Sequence, residues 1–104
     1  MTRKLGFILF EGFQILDASG PIATFEIAAR YCPGAYSLHV MAARSGQIAS
    51  SSGARLIAGR LADPSGFDTV IVAGGEGTRA AALDQRLTRY VRQAASATRR
   101  IASV

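Results

Sequence analysis

The sequence has 104 residues, 49% of them hydrophobic and 18% charged, which is enough for one modest domain with one core and too apolar for a disordered chain. A single cysteine and a single histidine exclude an internal disulfide and argue against a zinc site, so no metal or cofactor is expected. The net charge of +5 is uneven, with four basic and three acidic residues in 1–54 against eight and four in 55–104; without a DNA-reading motif, this arginine excess reads as solvated surface.

The N-terminus "MTRKLGFILF" is basic and then apolar, but the apolar part is too short for a signal peptide and "EGFQILD" replaces a small-residue cleavage site. No apolar run reaches a membrane span, so a cytoplasmic protein is the expectation. Lys4–Phe10, a continuous apolar run, predicts a strand buried on both faces of a parallel sheet. Ser19 is a candidate N-cap with Pro21 in the first turn of a helix that runs to about Tyr31, and "CPG" ends it. That helix is apolar on most sides and is expected to be well covered.

Tyr36–Ala43 predicts a second strand. Residues 46–58, with Ser50–Gly53 as a polar turn, suit a short antiparallel excursion or a linker within the domain. Leu61–Asp68 carries turn chemistry with room for one helical turn. Thr69–Val72 is the strongest strand signal and runs into the glycine cluster "AGGEG". From Thr78 to Arg100 the pattern predicts one long amphipathic helix, with Leu83, Leu87, Tyr90, Val91 and Ala94 on its apolar face. Arg99 and Arg100 would close it against the helix dipole, and Ile101–Val104 would begin another strand.

Strands alternating with helices predict right-handed βαβ units: an α/β fold, mainly parallel, with helices on both faces. Ligands in such sheets bind beyond the carboxyl ends of the strands. If the first and third main strands are neighbours, Asp17 lies close to Gly74 and Gly75. The glycines would let backbone N–H groups point at a ligand, while the flanking Ile15 and Leu16 would partly bury the Asp17 carboxyl and suit it to acid–base work. Asp17 also suits plain solvation of a helix start, and the glycines plain strand-to-helix packing. The cluster is neither G-x-G-x-x-G nor a Walker loop, which argues against nucleotide phosphate. Glu26 can face the surface or the cleft. Cys32 has no basic partner nearby and reads as structural, and His39 reads as a satisfied strand histidine. No complete nucleophilic apparatus is evident.

"LGFILFEGFQILDASGPIATFEIAAR" (Leu5–Arg30) and "FDTVIVAGGEG" (Phe67–Gly77) together resemble the ThiJ/PfpI superfamily, whose fold is class I glutamine amidotransferase-like, or flavodoxin-like. Two branches share this opening: isonitrile hydratase-like enzymes, and AraC-type transcription regulators in which the domain precedes helix-turn-helix motifs. "GFQILDASGP" followed by "FEIA" looks more like the regulators. The resemblance implies that Asp17 matches the acid beside the enzymes' nucleophile and that Gly74 and Gly75 match the loop lining its pocket. It implies that the family's cysteine falls just after Val104, on a nucleophile elbow entered by "RIASV". Residues 1–104 are therefore read as the N-terminal part of one such domain. The implied function is sensing of a small-molecule effector, with Asp17, Gly74, Gly75 and Glu76 as ligand-binding candidates and no catalysis by this chain itself. DNA contact would come only from a helix-turn-helix domain outside this chain. Surface left for the rest of the domain predicts a homodimer. The alternative is a fragment of an isonitrile hydratase-like enzyme, with Asp17 assisting the cysteine.

Overall fold

The apolar run after the N-terminus forms the central strand, β1 (Arg3–Leu9), and every residue from Leu5 to Phe10 is buried. The computed structural model describes residues 1–104. In chain order, β1 is followed by α1 (Ile15–Tyr31), β2 (Tyr36–Ala42), β3 (Gly46–Ala49) and β4 (Arg55–Arg60). A 3-10 turn (Pro64–Gly66), β5 (Thr69–Val72), α2 (Thr78–Ala81), α3 (Gln85–Ala97) and β6 (Arg100–Ser103) complete the chain. The six strands make one sheet in the order β3-β4-β2-β1-β5-β6. All pairs are parallel except β3 with β4. The fold is α/β and flavodoxin-like, with the antiparallel pair falling at 46–60.

Alternation along β1 and β5 assigns the two faces. Leu5, Phe7 and Ile71 meet Ile22 and Phe25 of α1. On the other face Ile8, Met41 and Val70 share a core with Leu87, Tyr90 and Ala94 of α3. Phe25 stacks near Phe7 and edge-on to Tyr36, at centroid distances of 6.4 and 5.0 Å. At the amino ends of the strands, Asp68 accepts two hydrogen bonds from Arg99, at 2.7 and 3.2 Å, and one from the Thr69 hydroxyl. Arg3 lies 3.8 Å away. This cluster ties β1, β5 and β6 together.

Four expectations change. Helix α1 starts at Ile15, not near Ser19, so Pro21 lies inside it. Gly20 has no Cβ to clash with the proline ring, which removes part of the usual penalty on the residue before proline; the missing helix hydrogen bond and the ring's crowding of the Asp17 carbonyl remain as costs. Nor is α1 well covered: only Ala18 is buried, while Leu16 and Tyr31 are 67% and 88% exposed. The long second helix is two. Asp84 takes an extended conformation, and its carboxylate accepts from the N–H groups of Arg86 (3.0 Å) and Leu87 (3.4 Å), so it starts a new helix instead of continuing the old one. Leu83 then falls in the break, 84% exposed, and leaves the apolar face. Finally, α3 ends at Ala97, where the Thr98 hydroxyl donates to the Ala94 carbonyl (2.7 Å), so Arg99 serves Asp68 and Arg100 begins β6.

Candidate functional site

Beyond the carboxyl ends of β1 and β5 the two following loops cross in contact. Phe13 is fully buried beneath the crossing and fixes the β1–α1 loop. The Gln14 N–H donates to the Gly74 carbonyl (2.9 Å), and the Gly77 N–H donates to the Gly12 carbonyl (3.1 Å). On the far side the same loop is stitched to the β3–β4 turn: Gly12 N–H to the Ala49 carbonyl and Ser51 N–H to the Phe13 carbonyl, each 2.9 Å. The crossing is therefore backbone held by backbone.

Glycine is required where the two loops touch. A Cβ on Gly74 would lie 2.9 Å from Asp17 Oδ2 and would collide with the Val104 carbonyl oxygen. Gly75 has φ of 119°, and a Cβ there would lie 2.5 Å from the Gln14 nitrogen. Three chain segments thus converge on Gly74: Asp17 from the first turn of α1, the end of β5, and Val104 beyond β6, whose N–H donates to the Val72 carbonyl (3.1 Å).

Asp17 is half-buried, and none of the three ion pairs uses it. No side-chain hydrogen bond reaches its carboxylate. In the loop that Asp17 touches at Gly74, the N–H groups of Gly74, Gly75 and Glu76 have no backbone acceptor, since the loop's bonds begin at Gly77 and Thr78. A carboxylate without a partner can hold a cationic group, and loop N–H groups without acceptors can hold an anionic or carbonyl oxygen. Glu76 itself is exposed on the rim.

The other singled-out residues lie elsewhere. Glu26 is ion-paired with Arg30 on the outer surface of α1, and Cys32 is exposed at the end of that helix. His39 lies within β2, with its Nε2 hydrogen-bonded to the Ser37 hydroxyl (2.8 Å) and its ring edge-on to Phe67. That Ser–His pair sits two residues apart on one strand face, has no carboxylate behind it, and lies away from the strands' carboxyl ends. No group of three or more metal-ligating side chains exists, and no helix is long and apolar enough to cross a membrane.

A separate concavity lies away from Asp17. A cleft of about 370 Å³ opens between the ends of β1 and β2, strand β3 and the start of α3. Its lining includes Glu11, Arg44 and Arg86, residues that the sequence pattern did not single out for chemistry. The missed signal is the Asp84 cap, which turns Arg86 into a first-turn residue beside the strand ends.

The family model described as DJ-1/PfpI matches residues 3–104. Among solved structures, an AraC family transcriptional regulator from Pseudomonas putida superposes with a TM-score of 0.82 at 18% identity, covering 96% of this chain and 55% of that one. A ThiJ/PfpI family protein from Pseudomonas syringae gives 0.86 at 18%, covering 99% and 42%. A ThiJ/PfpI domain protein from Brachyspira murdochii gives 0.81 at 19%, covering 98% and 58%. The chain thus spans roughly half the length of these structures. No curated protein sequence matches it.

Proposed function

The chain belongs to the DJ-1/PfpI family, and from that premise we propose that it is the N-terminal, ligand-sensing part of an AraC-type transcriptional regulator. The observation that carries the reading is the unpaired Asp17 carboxylate in contact at Gly74 with a loop whose Gly74, Gly75 and Glu76 N–H groups have no backbone acceptor. An acceptor and donors on adjoining segments suit a small amine- or amino-acid-like effector, its ammonium on Asp17 and its carboxylate on the loop. The segment "GFQILDASGP" followed by "FEIA" supports the regulator branch, as does the likeness to the Pseudomonas putida regulator. In this reading the protein works in the cytoplasm as a homodimer and meets DNA only through a helix-turn-helix domain beyond these residues.

Titration calorimetry of the chain against primary amines and amino acids tests the reading. An effector should bind, and Asp17→Asn should weaken it by about tenfold or more, the loss of one charge-assisted pair. Affinity unchanged in Asp17→Asn would remove the basis of the proposal. Sedimentation equilibrium tests the dimer, and a monomer throughout would remove that part.

One observation favours a second reading. Val104 reaches Gly74 beside Asp17, so a cysteine following Val104 would meet the carboxylate, as an isonitrile hydratase-like enzyme requires. The regulator reading expects no isonitrile hydration by the chain itself; turnover that disappears in Asp17→Asn would replace it with the enzyme.

A further inference from the structure

The cleft between β3 and the start of α3 has no part in the reading above. None of its lining is shared with Asp17 or the glycine loop, and none comes from β6. Its volume, about 370 Å³, is that of a small-molecule site. Buried Leu9, Phe10, Ile48 and Leu87 make an apolar floor.

Four charged side chains line the cleft, and their bonding divides them by sign. The Glu11 carboxylate accepts from the Ala49 N–H (3.3 Å), joining the loop to β3. The Asp84 carboxylate caps α3. Both acids therefore have work within the fold. Arg44, in the β2–β3 loop, and Arg86, in the first turn of α3, take part in none of the three ion pairs. Elsewhere in the chain Arg30, Arg55 and Arg99 each meet a side-chain acceptor. Arg86 moreover sits at the end of the helix where the dipole disfavours a cation. An anion between the two arginines would answer both, and a guanidinium fork matches a carboxylate in two-point geometry.

We propose that this cleft is a second ligand site, which takes a small carboxylate with an apolar body: the carboxylate lies between Arg44 and Arg86 and the body rests on Phe10, Ile48 and Leu87. The floor makes the site select against bare anions, and the arginines make it select against neutral isosteres.

Phenylacetate, phenylacetamide and acetate are the probes, titrated into the isotope-labelled chain and followed by amide chemical shifts. Phenylacetate should saturate below about 10 mM with shifts at Arg44, Ile48 and Leu87, and the other two should bind about tenfold more weakly or worse. Arg44→Gln and Arg86→Gln should each weaken phenylacetate about fivefold or more, while Arg92→Gln, on α3 outside the cleft, should not. The proposal is overturned by absence of saturable binding, by equal binding of amide or acetate, or by shifts confined to Gly74–Glu76. It is equally overturned if either cleft arginine can be replaced without loss. Retained amide spectra in all three exposed-arginine variants separate a lost contact from a lost fold.

Discussion

The glycine crossing and the arginine cleft lie at the same edge of one sheet, yet they are made from different material. The crossing is built of main chain: four inter-loop hydrogen bonds and three glycines, Gly74, Gly75 and Gly77, that admit no side chain. The cleft is built of side chains projecting from five separate elements and loops, with Leu87 and Ile48 as floor and charges as rim. A site made of backbone carries its geometry in the fold and tolerates almost no substitution. A site made of side chains can change its chemistry while the fold stands. The comparison breaks if equivalent substitutions in the two regions have equal consequences.

The largest effect should come from Gly75→Ala. The new methyl meets the Gln14 nitrogen at a backbone angle that L-residues rarely take. Strain and displacement together should cost about 4 kcal/mol, lowering the melting temperature by more than about 10 °C. A loss below about 1 kcal/mol in denaturant titration would mean that the crossing yields as easily as a side-chain site. Next is Leu87→Ala beneath the cleft, expected to cost about 3 kcal/mol through lost burial and a residual cavity. Here the crossing should keep its protection in hydrogen exchange at Gln14 and Gly77, because neither amide depends on α3.

Tyr90 extends the contrast to pH. Its hydroxyl donates to the Ala62 carbonyl and holds α3 to the segment before β5. Burial, and then the Asp63 carboxylate, push the phenol's pKa above its ordinary value of 10.0. The folded state therefore holds this proton more tightly than the unfolded chain. The stability it contributes is full below pH 10.0 and is lost as pH rises from there through the folded value. Tyr90→Phe should cost about 1 kcal/mol at neutral pH and flatten that alkaline limb. An unchanged limb in Tyr90→Phe would assign the loss to other groups.

The same division explains what could be read before the fold was known. β1 and β5 were legible because both their faces are buried, so apolar runs of Leu5–Phe10 and Val70–Ile71 had no other use. Backbone-made geometry was legible too, since only glycine serves at Gly74 and Gly75, and the meeting of Asp17 with that loop followed from strand adjacency. Helix limits were less so. Pro21 suggested a start where Gly20 in fact lets the helix pass through, and alanines around Leu83 concealed the Asp84 cap. The cleft was illegible because Arg44 and Arg86 are 42 positions apart and come to line one cleft only when β2 and α3 are placed, and an arginine-rich sequence gives neither any local mark.

The smallest effects should fall on the side chains with the largest proposed roles. Asp17 has no partner in the fold, and neither Arg44 nor Arg86 has an ion pair. Asp17→Asn should cost less than about 1 kcal/mol, because the half-buried carboxylate has no partner and gives up only its favourable place in the first turn of α1. Arg86→Gln should leave it unchanged or raise it by about 0.3 kcal/mol, because a cation leaves the positive end of α3. A loss above about 1 kcal/mol in either variant, read from urea titration of the ligand-free chain, would give that residue a structural role. Stability kept in both means that the fold does not need these charges where they stand. A charge of no use to the fold, fixed at a concave surface, is a charge available to a ligand; that holds for the acid at the backbone-made crossing as for the arginines of the cleft.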